Sequence, residues 1–140
     1  MNPTSVVIKS VKDGATLVLS AANYPASDAF EFSLNTPVFT VGGNGSTYVV
    51  GSPALFFDQM AKSWRGWEGA LKWATLENEI ILTATMDHMG HVGMLVELRS
   101  TVYPSDWEVK FRLHLEAGGL DSLARQVKQV FPIHENAAQR

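Results

Sequence analysis

The sequence of 140 residues contains no cysteine. This excludes a disulfide framework, a thiol nucleophile and thiolate-ligated zinc, and it permits a reducing compartment. No run approaches the roughly 18 continuous apolar residues of a membrane-spanning helix. The opening stretch, MNPTSVVIKSVKDG, has no basic segment followed by a long apolar core, so no secretory signal is expected and the cytoplasm is the expected location. Positive charge is not in excess either: 11 Lys and Arg against 14 Asp and Glu leave a net charge of −3. Nucleic-acid binders draw much of their affinity from basic faces that neutralise phosphate, so no nucleic-acid partner is expected, and no membrane partner.

What remains has the balance of a globular chain, 46% hydrophobic and 18% charged. Its length predicts one domain over residues 1–140, with 133–140 as a frayed tail. SVVIKSV and ATLVLSA flank Asp13-Gly14, a hairpin signal because the turn needs positive φ; a two-residue turn pairs Lys12 with Ala15 and Ile8 with Leu19. AFEFSLN alternates, placing Phe30, Phe32 and Leu34 on one face. VFTV and TYVV around GGNGS predict a second hairpin with a glycine-rich loop. That loop resembles a phosphate cradle but lacks the Gly-Lys-Ser/Thr ending.

Ser52 and Pro53 mark a helix start, and Phe56, Phe57, Met60, Ala61 and Trp64 form an apolar stripe that Gly66 is expected to end. Residues 69 to about 117 predict an antiparallel meander of four strands. With His88-Met89-Gly90 as the hairpin loop, Asp87 faces His91, and Met86, Ala84, Leu82 and Ile80 face Val92, Met94, Val96 and Leu98. A slip of one residue would put charge on that apolar face. A turn at Glu77-Asn78 sets Trp73 against Leu82. Charge matching sets Glu97 beside Lys110 and Arg99 beside Glu108. GGLDSLARQVKQVF closes the chain as an amphipathic helix that Pro132 stops. The expected architecture is α+β: an antiparallel sheet of about eight strands whose apolar face is covered by two helices.

The densest polar cluster is MDHMGHV. Asp87, His88 and His91 could form an acid–base pair or a partial metal site, or could simply be a surface pair and a turn residue. Two good ligands fall short of the three or four that zinc requires, so no metal and no cofactor are expected. His114 lies diagonal to His91 in the derived register and joins Asp87 and His91 as a catalytic candidate. On the polar side of the meander Arg99 and Arg112 are candidate ligand-binding residues. In SWRGWEGALKW, Trp64 and Trp73 are expected in the core, while Trp67 at the bend, with Arg65, is a candidate stacking site.

FFDQMAKSWRGWEGALKW, then ATMDHMGHVGMLVELR, then DWEVKFRLHLEAGGL and a final helix resemble a family of small bacterial proteins of unknown function, many actinobacterial. The shared pattern is W-R-G-W-x-G-x-x-x-W followed by G-H-V, carried here by Trp64, Arg65, Gly66, Trp67, Gly69, Trp73, Gly90, His91, Val92 and Trp107. The resemblance covers roughly residues 53 to 131 and implies no established activity. The leading expectation is a binding or protein-interaction module. The alternatives are a small hydrolase-like or metal-dependent enzyme at Asp87, His88 and His91, and a structural homodimer through the sheet.

Overall fold

The computed structural model describes residues 3–100 and 105–133. Among them lie eight antiparallel strands, divided into two sheets of four rather than joined in one, and two α-helices. Each sheet is a meander followed by a helix.

In the first sheet, β1 (Ser5–Lys9), β2 (Thr16–Ser20), β3 (Ala29–Asn35) and β4 (Thr40–Ser46) lie side by side in chain order. Alternation buries Val6 and Ile8, then Leu17 and Leu19, then Phe30, Phe32 and Leu34. The Asp13-Gly14 turn is not the expected two-residue one: Ile8 faces Leu17 and Lys9 faces Thr16. Gly14 has φ 75° but Asp13 is not in the left-handed region, which a two-residue type I′ turn needs at both positions. Instead the Asp13 carboxylate accepts from the Ala15 N–H at 3.1 Å, closing a longer loop. The shift is even, so the same side chains still face inward.

The larger correction is β4. GGNGS is not a hairpin loop but the body of that strand, while Tyr48-Val49-Val50 form a turn. A Cβ on Gly43 would stand 3.0 Å from Phe32 Cζ, and one on Gly45 2.8 Å from Phe30 Cζ. The Phe32 and Phe30 rings occupy the space that β4 side chains would fill.

Helix α1 (Ala54–Lys62) begins where expected, with the Ser52 hydroxyl accepting from the Ala54 N–H at 3.2 Å. It ends earlier than expected. Ser63 N–H turns back to Gln59 and Met60 carbonyls, and Gly66, at φ 127°, serves the bend beyond the helix. Trp64 therefore leaves the apolar stripe and lies 54% exposed, not in the core.

The second sheet follows the expected register. Its strands are β5 (Leu71–Ala74), β6 (Ile80–Met86), β7 (His91–Arg99) and β8 (Glu108–Glu116). Trp73 faces Leu82, Ile80 faces Leu98, and Met86 faces Val92. Backbone hydrogen bonds place Asp87 opposite His91 and Glu79 opposite Arg99. Glu97 pairs with Lys110 at 3.7 Å and Arg99 with Glu108 at 3.9 Å. A turn of 3-10 helix (Ala117–Gly119) leads into α2 (Leu120–Val130). The tail expected at 133–140 falls outside the described residues except for Ile133.

One core cluster takes side chains from both sheets and both helices. The sheets are stitched where β1 ends: Val11 N–H donates to the His114 carbonyl at 2.8 Å, and His114 N–H donates to the buried Ser10 hydroxyl at 3.0 Å. The helices are stitched by Asp58 on α1, which accepts from Lys128 on α2 at 2.7 Å and from Lys62 at 3.2 Å. Lys128 first, then Lys62, hold the Asp58 carboxyl below its ordinary pKa.

The glycine–phenylalanine contacts yield a direct expectation. Gly45→Ala should cost about 1–3 kcal/mol through overpacking against Phe30. Gly118→Ala, whose added methyl meets nothing within 4 Å, should stay within about 0.5 kcal/mol of wild type. Urea denaturation measures both, and equal effects at the two positions would refute the steric account of β4.

Candidate functional site

The β6–β7 hairpin and the end of β8 bring Asp87, His91 and Glu116 together, as the register requires. His91 Nδ1 lies 3.1 Å from Asp87 Oδ2, and its Nε2 lies 3.8 Å from Glu116 Oε2. Asp87 Oδ1 also accepts from the backbone N–H groups of Met89 and His91, each at 2.9 Å. The backbone N–H of His91, then that of Met89, then the imidazole draw the Asp87 carboxyl below its ordinary pKa. With Val11, Lys12, His114 and Leu115 these residues line an open cleft of about 510 Å³. His88 lies exposed at the hairpin tip and does not line it.

The chemistry open to this cleft is narrow. The two nitrogens of His91 face different carboxylates across the ring, so Asp87 and Glu116 cannot meet on one ion beside it. Among the described residues no group of three His, Cys, Asp or Glu side chains could hold a metal ion. None of the lining residues carries a hydroxyl or thiol to act as a nucleophile. What the arrangement does is orient His91 and brace the hairpin.

The ligand-binding candidates are not brought together. The Arg65 guanidinium stacks on the exposed Trp64 ring, 5.1 Å from its centroid, and not on Trp67. Trp67 is half-buried, and its indole N–H donates to the Ala84 carbonyl at 3.1 Å. Arg99 is engaged by Glu108, and its Nε is buried without a hydrogen-bond partner among the described residues. Arg112 lies over Gly93, its Cδ 3.3 Å from where a Cβ would stand.

A second concave surface, not foreseen in the sequence, lies between α1 and the outer edge of β5. It is a groove of about 400 Å³. Phe56 and Trp73, both nearly buried, form its floor, and the exposed Leu55 and half-exposed Val50 form its lip. The Trp73 indole N–H donates to the Gly51 carbonyl at 3.3 Å, which ties the loop wall to the strand. That loop is strained. Val50 N–H donates to the Tyr48 carbonyl at 2.7 Å around Val49, whose φ is 67°. Such a γ-turn is rare, and a β-branched residue is unfavourable in it. Val49 is nevertheless 74% exposed, next to an exposed Tyr48. The signal that could have revealed the groove is TYVVGSPALFF, where too many apolar residues precede a helix for all of them to be buried.

Two antiparallel meanders, each followed by a helix, define an α+β protein. Residues 15–134 match the model of a family described as of unknown function (DUF6228), and the chain belongs to that family. No curated protein and no solved structure gives a significant match. No described helix is long and apolar enough to cross a membrane.

Two outcomes follow from the Asp87 geometry. Asp87→Asn should speed amide hydrogen exchange at Met89 and His91 while leaving the β2–β3 amides unchanged. A carboxyl with a depressed folded-state pKa contributes stability above its unfolded value and loses it as pH falls through the folded one. The hairpin amides should therefore lose protection on acidification below the ordinary carboxylate range, and Asp87→Asn should flatten that dependence. Elemental analysis of protein prepared without added metal should find no stoichiometric zinc, and one equivalent lost on His91→Ala would contradict the geometry.

Proposed function

We propose that this protein is a binding module that acts through the groove between α1 and β5. The observation that carries this reading is the exposed apolar lip of that groove. Val50 and Leu55 form that lip, and Tyr48 and Val49, next to Val50 in sequence, are exposed as well. Contiguous exposed apolar surface costs solubility and is retained where something binds. The strained turn at Val49 supports the same place, since such conformations persist where surrounding structure holds them and cluster at binding sites. The groove also has the size and mixed lining of a ligand site, apolar walls with a few polar groups.

The enzyme alternative at Asp87, His88 and His91 is weaker because the cleft supplies no hydroxyl or thiol for His91 to activate and both His91 nitrogens already face carboxylates. As part of the same proposal we place the protein in the cytoplasm, and we take the Trp64-to-Trp73 pattern as the mark of a bacterial, largely actinobacterial family.

The test uses 8-anilinonaphthalene-1-sulfonate as an apolar probe with excitation of the tryptophans. Wild type should bind the probe and transfer energy to it. A double variant, Val50→Asp with Leu55→Glu, should lose several-fold of the signal with an unchanged unfolding curve. No binding by folded wild type, or equal binding by the variant, would reject the groove as a recognition surface.

A further inference from the structure

We infer that the occupant of this groove is an extended segment of a partner protein, added as a strand to the edge of β5 with an acidic side chain beside Lys72. The inference rests on the binding-module reading and goes beyond it by naming the class of ligand.

β5 is the outer strand of its sheet. The bond from Thr75 N–H to the Ile80 carbonyl sets the phase of its pairing with β6. In an antiparallel pair alternate residues turn both backbone groups toward the neighbour. Thr75, Trp73 and Leu71 therefore face β6, and Lys72 turns its N–H and carbonyl to the open edge. Among the described residues no hydrogen bond takes up either group. Lys72 lines the groove, whose opposite wall is α1. A free strand edge facing an apolar helix wall is the geometry in which an extended peptide gains main-chain hydrogen bonds from one side and side-chain pockets from the other. A helical ligand would leave the edge unpaired.

The same register specifies the segment. The residue opposite Lys72 on an added strand would exchange both backbone bonds with it and project its side chain to the same outer face. Lys72 is exposed, has no ion pair among the described residues, and is the only charged residue among those lining the groove. A carboxylate is the side chain that position favours. The residues before and after it would point inward, towards Trp73 and Phe56, and are favoured when apolar. The recognised pattern is apolar–acidic–apolar in extended conformation. A lysine on a short edge strand can also discourage pairing. An apolar lip beside the edge works against such protection.

The experiment pans a displayed random heptapeptide library on immobilised wild-type protein, with the Val50→Asp, Leu55→Glu variant as the subtraction surface. Enriched sequences should carry apolar–acidic–apolar, and a labelled synthetic copy should bind wild type. Lys72→Glu, which keeps the apolar walls, should weaken that peptide by about tenfold or more. Exchanging the peptide's acidic residue for lysine should restore binding to Lys72→Glu. N-methylation of the acidic residue's backbone nitrogen should abolish binding to wild type. No enrichment over the subtraction surface, or binding that survives N-methylation, would overturn the strand-addition inference. A self-association that Lys72→Glu abolishes would assign the edge to a second copy of the chain and overturn it equally. Probe binding without peptide binding sinks this inference alone; loss of probe binding sinks the groove as well.

Discussion

Phe30 and Phe32 need the volume above β4, and β4 must therefore lack side chains there. The two rings reach across to Gly45 and Gly43, and Phe30 lies 6.1 Å from Trp73 and 5.9 Å from Phe131 by ring centroids. Strand, second sheet and C-terminal helix thus converge on one aromatic ring. Trp73 passes the constraint outward, because its indole N–H fixes Gly51 and with it the wall of the groove. Close packing of an aromatic on glycine tolerates little added volume. A substitution at Gly45 would therefore disturb the groove as well as the core.

The molecule divides its chemistry between its faces. The outer side of the second sheet carries matched charges, Glu97 with Lys110 and Arg99 with Glu108. At separations of 3.7 and 3.9 Å, with one exposed partner in each, such pairs contribute about 0–1 kcal/mol each. Their larger effect is on register, since a shifted strand would set like charges side by side. His91 belongs to the same pattern, held between Asp87 and Glu116. The groove at β5 differs in kind: its lining holds one charge, a buried indole and an apolar lip.

How much of this was legible follows from where the signals reside. The second sheet could be derived pair by pair because its inward residues are all apolar and the charged residues of its strands all fall on the outward face, so a slip of one residue would bring charge inside. The contacts of Asp87, His91 and Glu116 came with that alignment. β4 could not be read because glycine in GGNGS serves a tertiary need, room for Phe30 and Phe32, and local preference assigns it to a loop. Trp64 was misplaced for a related reason. Its spacing continues the α1 stripe, but the helix stops at Lys62, two residues short of it. The groove is formed by an irregular turn, which has no periodicity to detect, and by Trp73, whose role as floor is indistinguishable in sequence from its role as core.

The stitch between Ser10 and His114 spans 104 positions of chain. As the polypeptide leaves the ribosome, β1 can pair with β2 at once, but Ser10 and Val11 just beyond it wait for their partner until β8 has been made. Through most of synthesis the first meander thus has an inner face of Val6, Ile8, Leu17 and Leu19 without its cover. Contacts so distant in sequence form late and slow the completion of the fold. The nascent first half is consequently the stage at which this chain most invites association with its neighbours on a polysome, through that uncovered apolar face.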